Sequence, residues 1–457
     1  MPPVARRTDS LLGRSTLPGA LGAALSLSLL AQLAVYFTET FGPLGPLRNL
    51  AVTLATTLPL ALALRVAARP ELTPRSLAFW VVVGAAALRL ALPWSAVEGS
   101  SDAFRYLFDG RVLASGTNPY LHPPVADALV PLREAHFFPG IFRPEMRTVY
   151  PPLAELWFAV AYWLSPTSFF GLKLVLFIHE LATVLLLRRL LARAGAPPER
   201  ALLYAWSPLP IVQLFVAGHL DGLLVPWLLL ALLLAERRPF AAGLSLAASA
   251  LVRPVTLLCL PSLALGPDRS RRQSLAVALA VGLATTLLLC PFLSAGGRLV
   301  ESLLVYAQEW RFNGSLFALA SLASPALAAT WLRPALYAGT ALASVACALL
   351  PAARSTRFLL ALGAYFALAP TVYPWYLVPL LALGALHGGV WVVLLPALVG
   401  LSDLVFLDGR PGGVWEVPAL AQVLEYGVLY LLVALQLARR ARPGSERPPA
   451  PGPRLVY

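Results

Sequence analysis

Apolar stretches close to 20 residues long recur from Leu17 to beyond Leu437, and short links rich in arginine separate them. A helix needs roughly 20 apolar residues to cross the hydrocarbon core of a bilayer. Lipid offers no water to unpaired backbone groups, so each such stretch has to satisfy its own hydrogen bonds by being helical. The pattern predicts an all-α, polytopic transmembrane helix bundle of roughly 12 to 14 spans of about 15 to 20 residues each. Composition agrees, with 58% hydrophobic and only 12% charged residues, where soluble domains carry about 25% charged. A single water-soluble globule is excluded.

The sign and placement of the charges orient the chain. Lys and Arg number 35 against 22 Asp and Glu, a net charge of +13, which in a soluble protein would suggest nucleic acid. Here the arginines gather in short links: Arg6, Arg7 and Arg14, the stretches 188–200 and 269–272, and 439–447. Cationic links of this kind stay on the cytoplasmic side, so both termini are expected inside and nucleic acid is not an expected partner. The first apolar run is long and lacks a small-residue cleavage site, which points to a retained span and no removed signal peptide. Cys259, Cys290 and Cys347 lie in apolar segments with no CxxC and no histidine at ligand spacing, so neither a disulfide frame nor a cysteine metal site follows.

Five regions result: a cytoplasmic N-terminus at 1–16, first transmembrane helices at 17–94, an extracytoplasmic loop at 95–150, a bundle with outer-face loops at 151–438, and a disordered cytoplasmic tail at 439–457. The first spans are expected at 17–37, 47–66 and 77–94. Short interfacial helices are expected in the loop. Beyond it, 151–165 reads as partly inserted or re-entrant and 169–188 as a crossing. The segment 201–217 then returns outward and 223–235 descends. Arg253-Pro254 interrupts 240–265, because proline removes a backbone donor, so two short helices should meet there at the outer face. The stretches 294–314, 372–376 and 402–418 are expected outside, and Arg354 and Arg357 inside.

The long loop is the most polar stretch before the tail, and loops commonly carry the chemistry. Its densest constellation is Asp102-Ala-Phe-Arg105-Tyr106-Leu-Phe-Asp109-Gly-Arg111. On a helix, Asp102, Arg105, Tyr106 and Asp109 share one face. A carboxylate can take a proton from a hydroxyl nucleophile, and arginine can hold phosphate oxygens. The plainer reading is an amphipathic interfacial helix whose charges only solvate its surface.

These residues resemble the GT-C superfamily of integral-membrane glycosyltransferases, specifically its bacterial mannosyltransferase-like members. The likeness rests on the Asp102 to Arg111 string, Gly116-Thr-Asn118-Pro-Tyr120 and Tyr150-Pro-Pro. It continues through Gly218-His219-Leu-Asp221, Arg253-Pro254, Trp310-Arg-Phe-Asn313-Gly314 and Tyr373-Pro-Trp375-Tyr376, over roughly 95–383. Many relatives pair two acids at the start of the loop, where Ser101 occupies one of the places here. The resemblance implies Asp102 or Asp109 as the general base, and Arg105, Arg111 and Arg253 for the donor phosphate, Arg253 standing where relatives often carry lysine. It extends acceptor or sugar binding to Tyr106, Asn118, Tyr120, Tyr150, His219, Asp221, Trp310, Asn313, Tyr373, Trp375 and Tyr376.

Several of these residues have a purely structural alternative. Asp221 could cap the next helix, and with His219 it supplies too few ligands for a structural zinc site. Arg253 could simply snorkel to the interface. The aromatics Tyr306, Trp310, Tyr373, Trp375 and Tyr376 could form an interfacial belt. Arg89, in the third span, could pair with Glu98 or Asp102. Lys173, the single lysine, shares a segment with His179 and Glu180, and the three could pair inside the bundle.

The resemblance implies an enzyme of the bacterial inner membrane that moves a sugar, mannose or another hexose, from a polyprenyl-phosphate donor to an extracytoplasmic glycan, lipid or protein acceptor. No cofactor is indicated, and a divalent metal stays open. A transporter or flippase for a lipid-linked sugar is the rival from another class. Transporters tend to show two similar halves with matching interrupted helices, whereas this chain has one acidic loop near its N-terminal third. A non-catalytic membrane partner built on the same scaffold is a third possibility.

Overall fold

A computed structural model of the chain describes residues 6–37, 47–324, 330–408 and 417–441. All regular secondary structure among the described residues is helical, with no strand and a single isolated bridge between Phe312 and Thr371. The chain opens with α1 (Arg6–Phe37), α2 (Arg48–Ala67) and α3 (Pro74–Leu90). A polar connection holds α4 (Asp102–Ala114) and the short helical turns Asp127–Leu132 and Phe138–Gly140. Next come α5 (Pro152–Leu164) and α6 (Phe170–Arg193). Residues 439–441 of the expected disordered tail close the helix Ala419–Ala441, and the rest of the tail and the part of the expected 402–418 loop at 409–416 lie outside the described residues.

Six of the described helices are long and apolar enough to cross a membrane: windows at Leu17–Ala34, Leu50–Ala67, Phe170–Arg193, Arg271–Ala295, Leu332–Leu349 and Ala419–Arg439. A seventh is possible as the broken pair Pro198–Val216 and Leu220–Leu234, bent by 114°. Roughly 12 to 14 crossings are therefore not reached by helix length alone. Punctuation in the sequence is the reason. Pro208, Pro210, Gly218 and Arg253-Pro254 cut apolar sequence into shorter pieces, such as Pro239–Ala250 and Pro254–Ala264. Irregular backbone is tolerated at membrane depth only where protein buries it, and residues 201–226 are buried without a break.

Two features set where α4 sits. Gly110 lets α4 lie directly on α5, since a Cβ there would come within 2.2 Å of the Phe158 carbonyl oxygen. Tyr106 then stacks flat on Phe158 at 4.5 Å and meets Tyr150 edge-on at 5.0 Å. Lys173 of α6 donates to the carbonyls of Pro93 and Ala96 and so ties the segment entering the polar connection to the bundle.

Arg89 does not pair with Glu98 or Asp102. It is wholly buried and donates to Glu180 of α6 at 2.7 Å and to the Ala205 carbonyl at 2.9 Å, while the Tyr204 hydroxyl donates to Glu180 at 2.6 Å. Side chains on a helix tilt toward its N-terminus, so Arg89 reaches back toward the start of α3, where it also donates to the Ala85 carbonyl. Lys173 and Glu180 thus serve different elements, and His179 binds the carbonyl of Val175 at 2.8 Å with Trp157 edge-on at 4.7 Å.

Candidate functional site

Asp102 opens α4, and its own N–H donates to the Ser100 hydroxyl at 3.1 Å. A negative side chain is favoured at this end of a helix by the exposed N–H groups. The carboxylate remains 35% exposed. Its Oδ2 stands 3.5 Å from the Tyr106 hydroxyl, one turn along α4, and 3.5 Å from His219 Nδ1. Much of the acceptor capacity of Asp102 is thus open.

His219 comes from the break between Pro198–Val216 and Leu220–Leu234. Gly218 makes that break possible: its φ is +80°, and a Cβ there would meet Val97 at 2.8 Å and Ala103 of α4 at 3.1 Å. The imidazole lies flat on Trp375, with centroids 3.5 Å apart and planes 12° apart. Trp375 stacks on Tyr373 at 4.5 Å, and Tyr373 on Phe312 at 4.3 Å. Four rings from three separate segments form one column ending beside Asp102. Burial lowers the His219 pKa below the ordinary imidazole value, opposed by Asp102, which favours the neutral ring.

Two residues further on, Asp221 is fully buried and does not cap a helix as the sequence suggested. Its Oδ1 lies 2.9 Å from Arg253 Nε, and its Oδ2 accepts from Arg253 Nη2 at 3.2 Å. Asp221 therefore holds one edge of the guanidinium, while the face of Arg253 lies 4.2 Å over the ring of Tyr376. The Tyr376 and Tyr306 hydroxyls bond to each other. Arg253, Tyr306 and Tyr376 line a cavity of about 320 Å³ whose other walls include Leu258, Tyr337, Tyr365 and Phe366. Arg253 is the single charged residue in that lining. A larger cavity of about 420 Å³ between Trp157, Trp227 and Leu288 has no charged lining residue and lacks the groups to hold a phosphate.

The structure does not bring the remaining expected residues to this point as free groups. Arg105 donates to Asp109 at 2.7 Å and to the Met146 carbonyl at 2.9 Å, and both side chains are buried. Burial pushes the Asp109 carboxyl above the usual carboxylate range, and Arg105 pulls it back. Arg111 pairs with Glu134 at 3.1 Å. Asn118 donates to the Phe292 carbonyl and to Ser294, and its oxygen accepts from the Tyr120 N–H. The Tyr120 hydroxyl donates to the Tyr150 carbonyl at 2.6 Å, so Asn118 and Tyr120 shape the loop, while the Tyr150 ring abuts Tyr106. Trp310 sits 5.1 Å from Tyr306 and under Arg143. Asn313 has φ +49° and donates to both oxygens of Glu425 at 3.0 Å, beside the far end of the ring column.

Tyr337 and Tyr365 in the cavity wall have no counterpart in the sequence reading. They lie within apolar helices, at Leu332–Leu349 and Arg354–Leu368, and no local motif marks them. Among the described residues, no group of three or more His, Cys, Asp or Glu stands close enough together to hold a metal.

Residues 16–267 match the family model described as alpha-(1->6)-mannopyranosyltransferase, N-terminal domain. The match covers more than half of the chain and contains Asp102, His219, Asp221 and Arg253. The chain belongs to this family. Membership in the mannopyranosyltransferase family makes the protein a membrane glycosyltransferase of the mannosyl-transferring kind. Three of the four rings of the column and most of the cavity wall come from residues C-terminal to the matched domain. No curated protein matches the sequence.

Proposed function

We propose that the protein transfers mannose from a polyprenyl-phosphate carrier to a sugar hydroxyl on the outer side of the bacterial inner membrane, forming an α-(1→6) linkage. The observation that carries this reading is the cavity of about 320 Å³ with Arg253 as its one charged wall residue, joined to Asp102 through the His219–Asp221 turn. That volume falls within the roughly 300–1,000 Å³ typical of ligand pockets. An otherwise uncharged wall, largely apolar and aromatic, suits an isoprenoid chain, and one guanidinium suits a phosphodiester with one negative charge.

In the reaction, Asp102 accepts the proton of the acceptor hydroxyl as its oxygen attacks the anomeric carbon. The bond from that carbon to the phosphate oxygen breaks, and its electron pair leaves with the phosphate. Charge therefore grows on the leaving group in the transition state, where a fixed cation stabilises it most. Arg253, in the cavity wall, is the group to do so.

An outward site accords with the arginine-rich links at 188–200 and 269–272 staying cytoplasmic, and with roughly 12 to 14 crossings if the shorter buried helices pair into spans. The test supplies purified protein with polyprenyl-phosphate mannose, polyprenyl-phosphate glucose and nucleotide-linked mannose, each with a mannoside acceptor. Product from the first donor, little from the second and none from the third is the expected result. Transfer from nucleotide-linked mannose alone would overturn the donor assignment.

A further inference from the structure

We infer that His219 and Asp221 are positioning residues, and that the single turn carrying them holds the proton acceptor Asp102 and the phosphate clamp Arg253 in fixed relation. The inference rests on the roles given above to Asp102 and Arg253 and assigns these two buried side chains a job other than touching sugar.

Three contacts carry it. Asp221 is completely buried and grips Arg253 along the Nε and Nη2 edge at 2.9 and 3.2 Å, so its carboxylate faces a guanidinium and not the open cavity. That edge is fixed, with Tyr376 against the face at 4.2 Å, and Arg253 is at the same time a wall residue of the cavity. His219 is 1% exposed, and its Nδ1 stands 3.5 Å from Asp102 Oδ2, an electrostatic contact short of a hydrogen bond. Trp375, 3.5 Å from its face, fixes the ring plane. With one residue between them, the two side chains belong to one short helical turn, His219 at its N-cap and Asp221 within Leu220–Leu223. The turn itself is seated against α4 by Gly218, where any side chain would strike Val97 and Ala103. A movement of this turn would therefore displace both functional groups together.

Atom position gives a readout that packing alone would not. Asparagine places its amide nitrogen where Nδ1 of histidine stands, and glutamine places its own nearer Nε2. His219→Asn is thus expected to keep a turnover within about tenfold of wild type, while His219→Gln and His219→Ala fall on the order of 100-fold, with acceptor KM little changed in all three. For the second arm, Asp221→Asn is expected to raise donor KM about tenfold and leave acceptor KM unchanged, with partial recovery in Asp221→Glu. In an Arg253→Gln background, Asp221→Asn is expected to have no further effect, because groups in contact are not additive. Equal losses in His219→Asn and His219→Gln would overturn the His219 assignment. A raised acceptor KM in Asp221→Asn, or a full additional loss on top of Arg253→Gln, would overturn that of Asp221. If Arg253→Gln itself leaves donor use untouched, the phosphate reading of Arg253 fails instead, a result distinct from either. Thermal unfolding of each variant in detergent identifies any that fail to fold, and the conservative variants His219→Asn and Asp221→Glu keep both arms decidable.

Discussion

The two carboxylates of α4 have the same chemistry but unlike surroundings, and replacing each by its amide should separate catalysis from stability. Asp102 is 35% exposed and makes only two contacts of 3.5 Å. Asp102→Asn keeps the shape, leaves no buried charge unpaired, and should alter stability by less than about 0.5 kcal/mol, as for an exposed substitution away from special features. Removing a general base should lower turnover on the order of 100- to 10,000-fold, which corresponds to about 2.7 to 5.4 kcal/mol at 1.36 kcal/mol per factor of ten. Asp109 is the reverse case. Its carboxylate is 3% exposed and sits 2.7 Å from an Arg105 that is itself 9% exposed. Asp109→Asn strands a buried guanidinium, and breaking a buried pair from one side costs about 3 to 5 kcal/mol. The expected pattern is a stable, inactive Asp102→Asn and an Asp109→Asn with a lowered unfolding midpoint whose folded fraction still transfers sugar. Initial rates with a saturating lipid-linked donor, normalised to folded protein by size exclusion, measure the first effect, and detergent thermal melts the second. Wild-type turnover in Asp102→Asn together with a stable but dead Asp109→Asn would refute the reasoning and move the base to Asp109.

Sidedness is checked by single cysteines: Ser115→Cys and Gly297→Cys, at exposed sites near the polar loop and before the helix Arg298–Glu309, should react with an impermeant thiol reagent from outside. Ser270→Cys, in the arginine-rich link, should react only after permeabilisation, and the opposite pattern would invert the topology. Arg89→Met should destabilise the bundle by about 3 to 5 kcal/mol, because it leaves the fully buried Glu180 without its cation. Combining it with Glu180→Met should recover much of that loss in thermal melts, and a double variant no better than the single would show that the pair is not the main cost. Gly110→Ala places a methyl 2.2 Å from the Phe158 carbonyl. It should lower the melting midpoint and reduce transfer, since overpacking costs about 1 to 3 kcal/mol and pushes α4, with Asp102 at its head, off α5. Unchanged melting and activity would mean that the α4–α5 contact is looser than described.

The all-helical class was legible from the sequence because lipid admits few backbone solutions, and the apolar runs alone impose one of them. The interruption at Arg253-Pro254 was legible for the same kind of reason, since proline's missing N–H acts locally. Most of the residues now gathered at the site also stood out, as polar or aromatic exceptions in an apolar chain: Asp102, Tyr106, His219, Asp221, Arg253, Trp375 and Tyr376. What the sequence left open was which of them touch. Asp102 and Asp109 were equivalent on paper as acids seven residues apart, and only the packing of α4 on α5 buries one with Arg105 and leaves the other half open. Asp221 read equally well as a cap and as a site residue until a segment 32 positions away brought Arg253 to it. Arg89 found Glu180 across 91 residues, and Tyr337 and Tyr365 entered the cavity wall from helices with no distinguishing motif. Local chemistry fixes which residues are costly to bury and where the backbone must break. Pairing between distant polar groups depends on the angle at which helices cross and the face each turns inward, and those are properties of the assembled bundle.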